Sequence, residues 1–333
     1  MTAPAPSVAR SPLSDRRVIV VFAGVLLGAT LSGLDGAIVA TAAPTILAEL
    51  GSLSLLPWLT TSYLLAQVTT MALYGKIGDT LGRRRVFAFA VALFIVGSML
   101  CGAAQTMPML IAFRVLQGIG AGGITGLAMS LVAEFVPSDR LGRYLGYTGI
   151  AFAVTSVLGP TVGGFFVDHL SWRWAFFVNL PSGIICLLTL LLLDRSPRNP
   201  HRIDVIGAGI LAGAAASVLL AIGGTGGRLH WISVRTIGLG VLAVVLGTLF
   251  VMRQNRIEFP LMPMRIFKDR ITALGIAANL TTGIAFGTCI VYPPVFFEAV
   301  SGMNATKAGL MVGPFALVSA TMTMVAGQIT DRF

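Results

Sequence analysis

The 333 residues are 56% hydrophobic and only 11% charged, under half the charged share of an ordinary soluble domain. A net charge of +10 invites a nucleic-acid reading, but the basic residues sit in short stretches between long apolar runs, where membrane topology puts them. Nucleic acid is therefore excluded as a partner. Cys101, Cys186 and Cys289 lie singly within apolar runs, so no metal, disulfide framework or other cofactor is expected.

In chain order, residues 1–17, rich in Ala, Pro and Ser, read as a cytoplasmic N-terminal tail. The first apolar run, 18–41, follows Arg16 and Arg17. A cleaved signal peptide shares that basic flank, but this run is too long and contains Asp35, so an uncleaved span is predicted. Runs at 57–75 and 86–104 come next, each long enough at about 1.5 Å per residue to cross a hydrocarbon core of roughly 30 Å. Between them, GKIGDTLGRRR at 75–85 predicts a short charged turn at a membrane surface, with Gly75, Gly78 and Gly82 permitting the reversal. Further runs at 108–132, 145–167, 174–193, 205–223, 232–252, 271–293 and 307–327 bring the total to ten. Lipid-exposed backbone must satisfy its own hydrogen bonds, so the predicted fold class is all-α and polytopic.

With the N-terminus inside, 18 of the 23 basic residues fall in inward segments, as the positive-inside rule requires. Trp58, Trp172, Trp174 and Trp231 lie near outer span ends, the place of an aromatic belt. An internal echo supports two related halves: GQITDRF at 327–333 repeats the logic of GKIGDTLG, with Gly327 matching Gly75 and Asp331 matching Asp79. The first copy follows two spans and the second follows ten. Two additional spans, 205–223 and 232–252, are thus expected between the halves. Because the second copy breaks off at Phe333, the chain is expected to be a C-terminally truncated fragment.

Several motifs, in register, resemble the major facilitator superfamily, in particular its fourteen-span drug–proton antiporters. They are LDGAIVATAAP at 34–44, GKIGDTLGRRR at 75–85, RVLQGIGAG at 114–122, GPTVGG at 159–164, WRWAFFVNLP at 172–181 and YPPVFFEAVSGMNATKAGLMVGP at 292–314. Departures are Ala37 and Ala40, where the family often carries Thr and Asn, and Thr80 in place of a basic residue. The resemblance implies a six-helix bundle over 18–193, two linking helices within 194–270 and the start of a second bundle over 271–333. It also implies export of lipophilic, often cationic compounds across the cytoplasmic membrane, driven by protons, with no obligate protein partner.

Asp35 and Arg114 are the ionisable residues placed well inside predicted spans. Counted from Arg17, Asp35 lies about 27 Å from the inner end of its span, and Arg114 lies about 9 Å below the outer end of its own. Their depths match, so a direct or water-mediated pair is expected. The functional reading makes Asp35 the proton carrier, because burial favours the neutral acid while Arg114 or a cationic drug favours the carboxylate. The bland reading is a static ion pair that fixes helix packing.

The 75–85 segment reads as a conformational latch. Gly75, Asp79, Gly82, Arg83 and Arg84 are its candidate members, with Asp79 capping a helix or pairing with an arginine. It is no phosphate loop, since Ile77 follows the lysine. Gly159, Pro160, Gly163 and Gly164 form a small-residue face with a kink, either ordinary close packing or the resemblance's antiporter seal. Gln117 and Asn179 either line the cavity or make interhelical hydrogen bonds. Glu134 and Asp168 lie at span ends, where a solvated carboxylate is the default, and His169, His201 and His230 lie in loops. No set of side chains converges as in an enzyme. The remaining rivals are export of an endogenous metabolite or antibiotic and a non-transporting remnant.

Overall fold

The computed structural model describes residues 15–136, 140–193, 204–223, 233–258, 260–303, 311 and 313–330. Among these no strand occurs. Eleven α-helices run in order: α1 Asp15–Leu50, α2 Leu56–Leu81, α3 Arg83–Gly102, α4 Met107–Phe135, α5 Leu141–His169, α6 Trp174–Phe177, α7 Asn179–Leu190, α8 Val205–Gly223, α9 Val234–Gln254, α10 Arg270–Ala299 and α11 Gly313–Thr330. Each predicted span has its helix. Four of them, beginning at Val18, Arg83, Met107 and Val234, meet by length and a mean hydropathy of 1.5 to 2.1 what a bilayer crossing needs.

Three local features differ from the sequence reading. The first helix continues through Pro44 to Leu50 instead of ending near 41. The proline forfeits one backbone bond, and the C-terminal end of the helix is held instead by Glu49, described below. The sixth span is broken at Val178 into α6 and α7. Pro181, in the first turn of α7, cannot donate to the carbonyl four residues earlier, so the ladder lapses there. The predicted turn at 75–85 shrinks to one residue: α2 runs on through Asp79 to Leu81, and α3 starts at Arg83. Gly82, at φ 97°, makes the whole reversal, a conformation that a side chain would strain.

The first seven helices pack as one body. The most extensive interfaces are α2 with α4 and α3 with α4, and α1 lies against α5 and α7. Two apolar clusters fill the interior. One gathers Val21, Phe87, Phe94, Ile124 and Leu127, and the other gathers Ile38, Ile46, Leu59, Trp172 and Phe176. On α1 the change of cluster falls between Leu31 and Ile38, and Asp35 occupies that boundary. Large apolar side chains such as Phe89, Val96, Phe165 and Leu188 remain exposed on the outside, as lipid-facing residues must.

At the C-terminal end of α1, Glu49 clamps the bundle. Its carboxylate accepts from Trp172 Nε1 at 2.6 Å and pairs with Arg173 Nη1 at 2.5 Å, while Arg173 Nη2 donates to the Ala104 carbonyl at 3.1 Å. Trp172 is consequently buried, not part of an exposed aromatic belt; Trp174 is exposed, and Trp231 lies outside the described residues.

α8 and α9 form a hairpin against α2, stapled by Asp204. That buried carboxylate accepts from Arg253 Nη2 at 2.7 Å, Gln254 Nε2 at 2.9 Å and the Gly207 N–H at 2.9 Å. Burial alone pushes the Asp204 pKa up, but the donors of Arg253, Gly207 and Gln254 outweigh it and hold the group below the usual carboxylate range. Its stabilisation is therefore complete above the unfolded-chain pKa near 4 and is lost as pH falls through the lower folded value. Asp204→Ala is expected to loosen the hairpin by about 1–3 kcal/mol, leaving Arg253 without its carboxylate. Faster amide hydrogen exchange in the first turn of α8 at pH 7, with the difference from the parent vanishing in acid, is the expected readout.

Candidate functional site

The site is built where α1, α3, α4 and α7 meet between the two apolar clusters. Asp35 and Arg114 are both wholly buried and form an ion pair, with Arg114 Nη1 donating to Asp35 Oδ2 at 2.5 Å. The pair does not stand alone. Gln117 Nε2 donates to Asp35 Oδ1 at 2.8 Å, and Asn179 Nδ2 donates to the same oxygen at 2.9 Å. Gln117 Oε1 in turn accepts from Arg114 Nη1 at 2.8 Å, which fixes the orientation of that amide. Ser98 closes the network from α3: its hydroxyl accepts from Gln117 at 2.9 Å and from Asn179 at 2.7 Å, and donates to the Phe176 carbonyl at 3.2 Å.

Gln117 and Asn179 are fully buried and act as interhelical hydrogen-bonding groups in this conformation, so of the two roles open to them the cavity-lining one is not adopted here. The guanidinium has further partners on α2. Arg114 Nε donates to the Leu59 carbonyl at 3.2 Å, and the group stacks over the Tyr63 ring at 4.0 Å. Arg114 Nη2, Asn179 Oδ1 and Ser62 Oγ are buried with no hydrogen-bond partner among the described residues. From Tyr63 a polar chain leads toward the protein surface: its hydroxyl meets Ser32 Oγ at 2.8 Å, and Gln67 Nε2 bridges Ser32 at 2.9 Å and Thr125 at 3.1 Å.

Glycine spacing on α4 creates this arrangement. An added Cβ at Gly118 would lie 2.5 Å from the Tyr63 carbonyl oxygen, one at Gly122 2.6 Å from that of Gln67, and one at Gly126 2.6 Å from that of Met71. Residues 114, 118, 122 and 126 thus stack in register on 59, 63, 67 and 71, backbone to backbone. The sequence reading quoted RVLQGIGAG for its arginine and passed over this four-residue spacing, the signal that would have found the α2 partner. It also passed over Ser98 and Tyr63, polar side chains inside apolar spans whose partners lie on other helices.

The junction of α2 and α3 holds the second set of predicted residues. Asp79 Oδ1 accepts from Arg83 at 3.0 and 2.9 Å, and Arg83 Nη1 reaches the Ser130 carbonyl of α4 at 3.0 Å. Arg84 donates to the Leu193 carbonyl just beyond α7. Gly78 packs against Leu127 and Arg83, while Gly75 has open space beside it. Gly75, Lys76, Asp79, Arg83, Ser130 and Glu258 border a cavity of about 570 Å³ between α2, α4 and the segment after α9.

On α5, Gly159 and Gly163 both turn toward α1. A Cβ on Gly159 would meet that of Ala37 at 2.5 Å, and one on Gly163 would lie 3.1 Å from the Ile38 backbone. Gly164 is buried, and Pro160 lies within the helix. Asp168 and His169 are exposed at its C-terminal end; His201, His230 and Asp331 lie outside the described residues. Cys101 and Cys186 are buried and Cys289 is exposed, all as free thiols, and among the described residues no group of side chains could hold a metal.

The family model described as Major Facilitator Superfamily matches residues 25–333. Multidrug resistance protein 3 of Bacillus subtilis is 35% identical over 306 residues, 91% of this chain and 60% of its own length. The MFS-type efflux pump LUC4 of a Fusarium species is 34% identical over 335 residues, 97% of this chain and 59% of its own. Among solved structures, the proton:xylose symporter XylE superposes with a TM-score of 0.67 over 96% of this chain and 70% of its own, at 17% identity, a likeness of fold alone. The chain spans about half to three-fifths of the length of the curated relatives it matches. It belongs to the Major Facilitator Superfamily and is an integral membrane protein.

Proposed function

We propose that the chain carries the proton-coupling half of an exporter that moves lipophilic, often cationic compounds out across the cytoplasmic membrane in exchange for protons. Its N-terminus lies in the cytoplasm, residues 18–193 form the first six-span bundle, the helices within 194–270 are linkers, and 271–333 open a second bundle. One observation carries the proposal: a carboxylate with no solvent exposure, paired with an arginine inside an apolar interior. The efflux names of the relatives support the cargo class.

Protonation of Asp35 removes the charge that Arg114 faces. The guanidinium then still has the Leu59 carbonyl, Gln117 and the Tyr63 ring, so the pair can part without stranding an unsolvated cation. Loss of the attraction between α1 and α4 biases the bundle toward another access state, and deprotonation on the other side restores it. GPTVGG, whose glycines seat α5 on α1 beside Asp35, serves as the seal against leak.

The test is ethidium export under an imposed proton gradient, for this chain and for the same chain extended through its reading frame. Asp35→Asn is expected to lower gradient-driven export at least 100-fold in whichever form pumps. Full proton-driven export by that variant would refute the carrier role.

The Asp79–Arg83 latch is a separate element of the proposal. Both side chains are partly exposed, so Asp79→Asn is expected to change stability by under about 1 kcal/mol. Its effect is conformational: cysteines placed at the inner ends of α2 and α4 are expected to become more reactive to a water-soluble maleimide. Unchanged labelling together with unchanged export would remove the latch from the mechanism.

A further inference from the structure

Among the described residues, every group that hydrogen-bonds to the Asp35 carboxylate is a donor: Arg114 Nη1, Gln117 Nε2 and Asn179 Nδ2. That set suits an anion and leaves a neutral carboxyl with nowhere to place its O–H. Arg114 and Gln117 cannot change: a guanidinium has no acceptor, and the Gln117 oxygen is engaged by Arg114. Asn179 is different. Its Oδ1 is buried and has no hydrogen-bond partner among the described residues, while its Nδ2 carries both bonds, to Asp35 and to Ser98.

We infer that Asn179 is a proton-reading amide, which turns over when Asp35 is protonated and presents Oδ1 to the new O–H. The inference rests on Asp35 being the proton carrier. A proton from water bonds to Asp35 Oδ1; the Nδ2–H bond to that oxygen breaks, and an O–H bond to Asn179 Oδ1 replaces it. Half a turn about Cβ–Cγ exchanges the two amide atoms with little movement of the chain, and leaves one of them unpartnered in either orientation. Ser98, which accepted from Nδ2 at 2.7 Å, must then donate to Oδ1, so its hydroxyl leaves the Phe176 carbonyl. Phe176 lies in α6 and Asn179 opens α7, so the charge state of Asp35 is passed to the break between those helices.

Among the described residues no other titratable group competes for the role. Of those facing the site, Arg114 on α4 stays charged, and Tyr63 on α2 and Cys101 on α3 are neutral donors at physiological pH whose hydrogens go to Ser32 and to Gln117 Oε1. α7 brings only Asn179 to the carboxylate, and the charged groups described on α5, Asp168 and His169, lie exposed at its C-terminal end.

The test is pH-difference infrared spectroscopy of the chain in lipid vesicles, with asparagine ¹³C-labelled at the side-chain carbonyl. On acidification a carboxyl C=O band that is missing in Asp35→Asn is expected to appear. With it the labelled amide carbonyl band is expected to shift down as its free oxygen gains a strong donor, and the shift is expected to be lost in Asn179→Ala, or in Asn179→Ser if alanine does not fold. An Asp35 band that appears while the amide band of the parent chain stays still overturns the inference and leaves the carrier intact. No Asp35 band at any pH overturns both.

Discussion

Arg114→Ala is expected to destabilise the packing of α1–α7 by about 3–5 kcal/mol at neutral pH, measured as loss of thermal stability in detergent. The size follows from burial: Asp35 has no exposed surface, and removing its partner leaves a carboxylate with only amide donors in an apolar interior. The deficit is expected to shrink as pH falls, because a neutral acid needs no counter-charge. Asp35→Asn combined with Arg114→Gln should recover much of the loss, since two neutral groups cost far less than one stranded charge. Arg114→Lys should recover less than the arginine supplies. An ammonium keeps the charge but cannot span Asp35, Gln117 and the Leu59 carbonyl at once while lying flat on the Tyr63 ring. Equal stability of Arg114→Ala and the parent at pH 7 would show that the pair is not shielded from water as drawn.

Gly122→Val should cost about 3 kcal/mol or more, because the first added carbon would meet backbone that cannot rotate away. The Gln67 carbonyl lies 2.6 Å from that position, and Gly120 on the opposite face of α4 has the Phe94 nitrogen at 2.5 Å, so α4 cannot retreat from α2 without striking α3. Separation of α2 from α4 would also lift Tyr63 and the Leu59 carbonyl off Arg114, so export should fall along with stability. Gly247→Ala in α9 is the control. Nothing lies within 4 Å of its added carbon, and the change should be neutral or stabilise by up to about 1 kcal/mol. If the two substitutions behave alike, close backbone contact is not what holds these helices.

The legible part of the site was its charged centre. Asp35 and Arg114 stood out because ionisable residues are rare within apolar runs, and their depths could be counted along straight helices. Asn179 was noticed as polar but not as a ligand of Asp35, since 144 residues separate them and only the packing of α7 on α1 joins them. Ser98 and Tyr63 gave no signal by type or spacing. Asp79 with Arg83 was readable at i,i+4, whereas the carbonyls that receive Arg83 and Arg84, at Ser130 and Leu193, carry no side-chain signature.

From the residues alone came the ten apolar runs, the helical class and the identity of the buried charges, because bilayer thickness and the cost of burying charge act along one dimension of the chain. The tertiary structure alone decided what surrounds those charges: the α4 glycines that bring Tyr63 over Arg114, the break that sets Asn179 at a helix start, and the all-donor ring around Asp35. Those depend on where four helices converge, and side-chain hydrogen bonds have no fixed sequence distance. Only closure of the bundle brings their donors and acceptors within 3 Å.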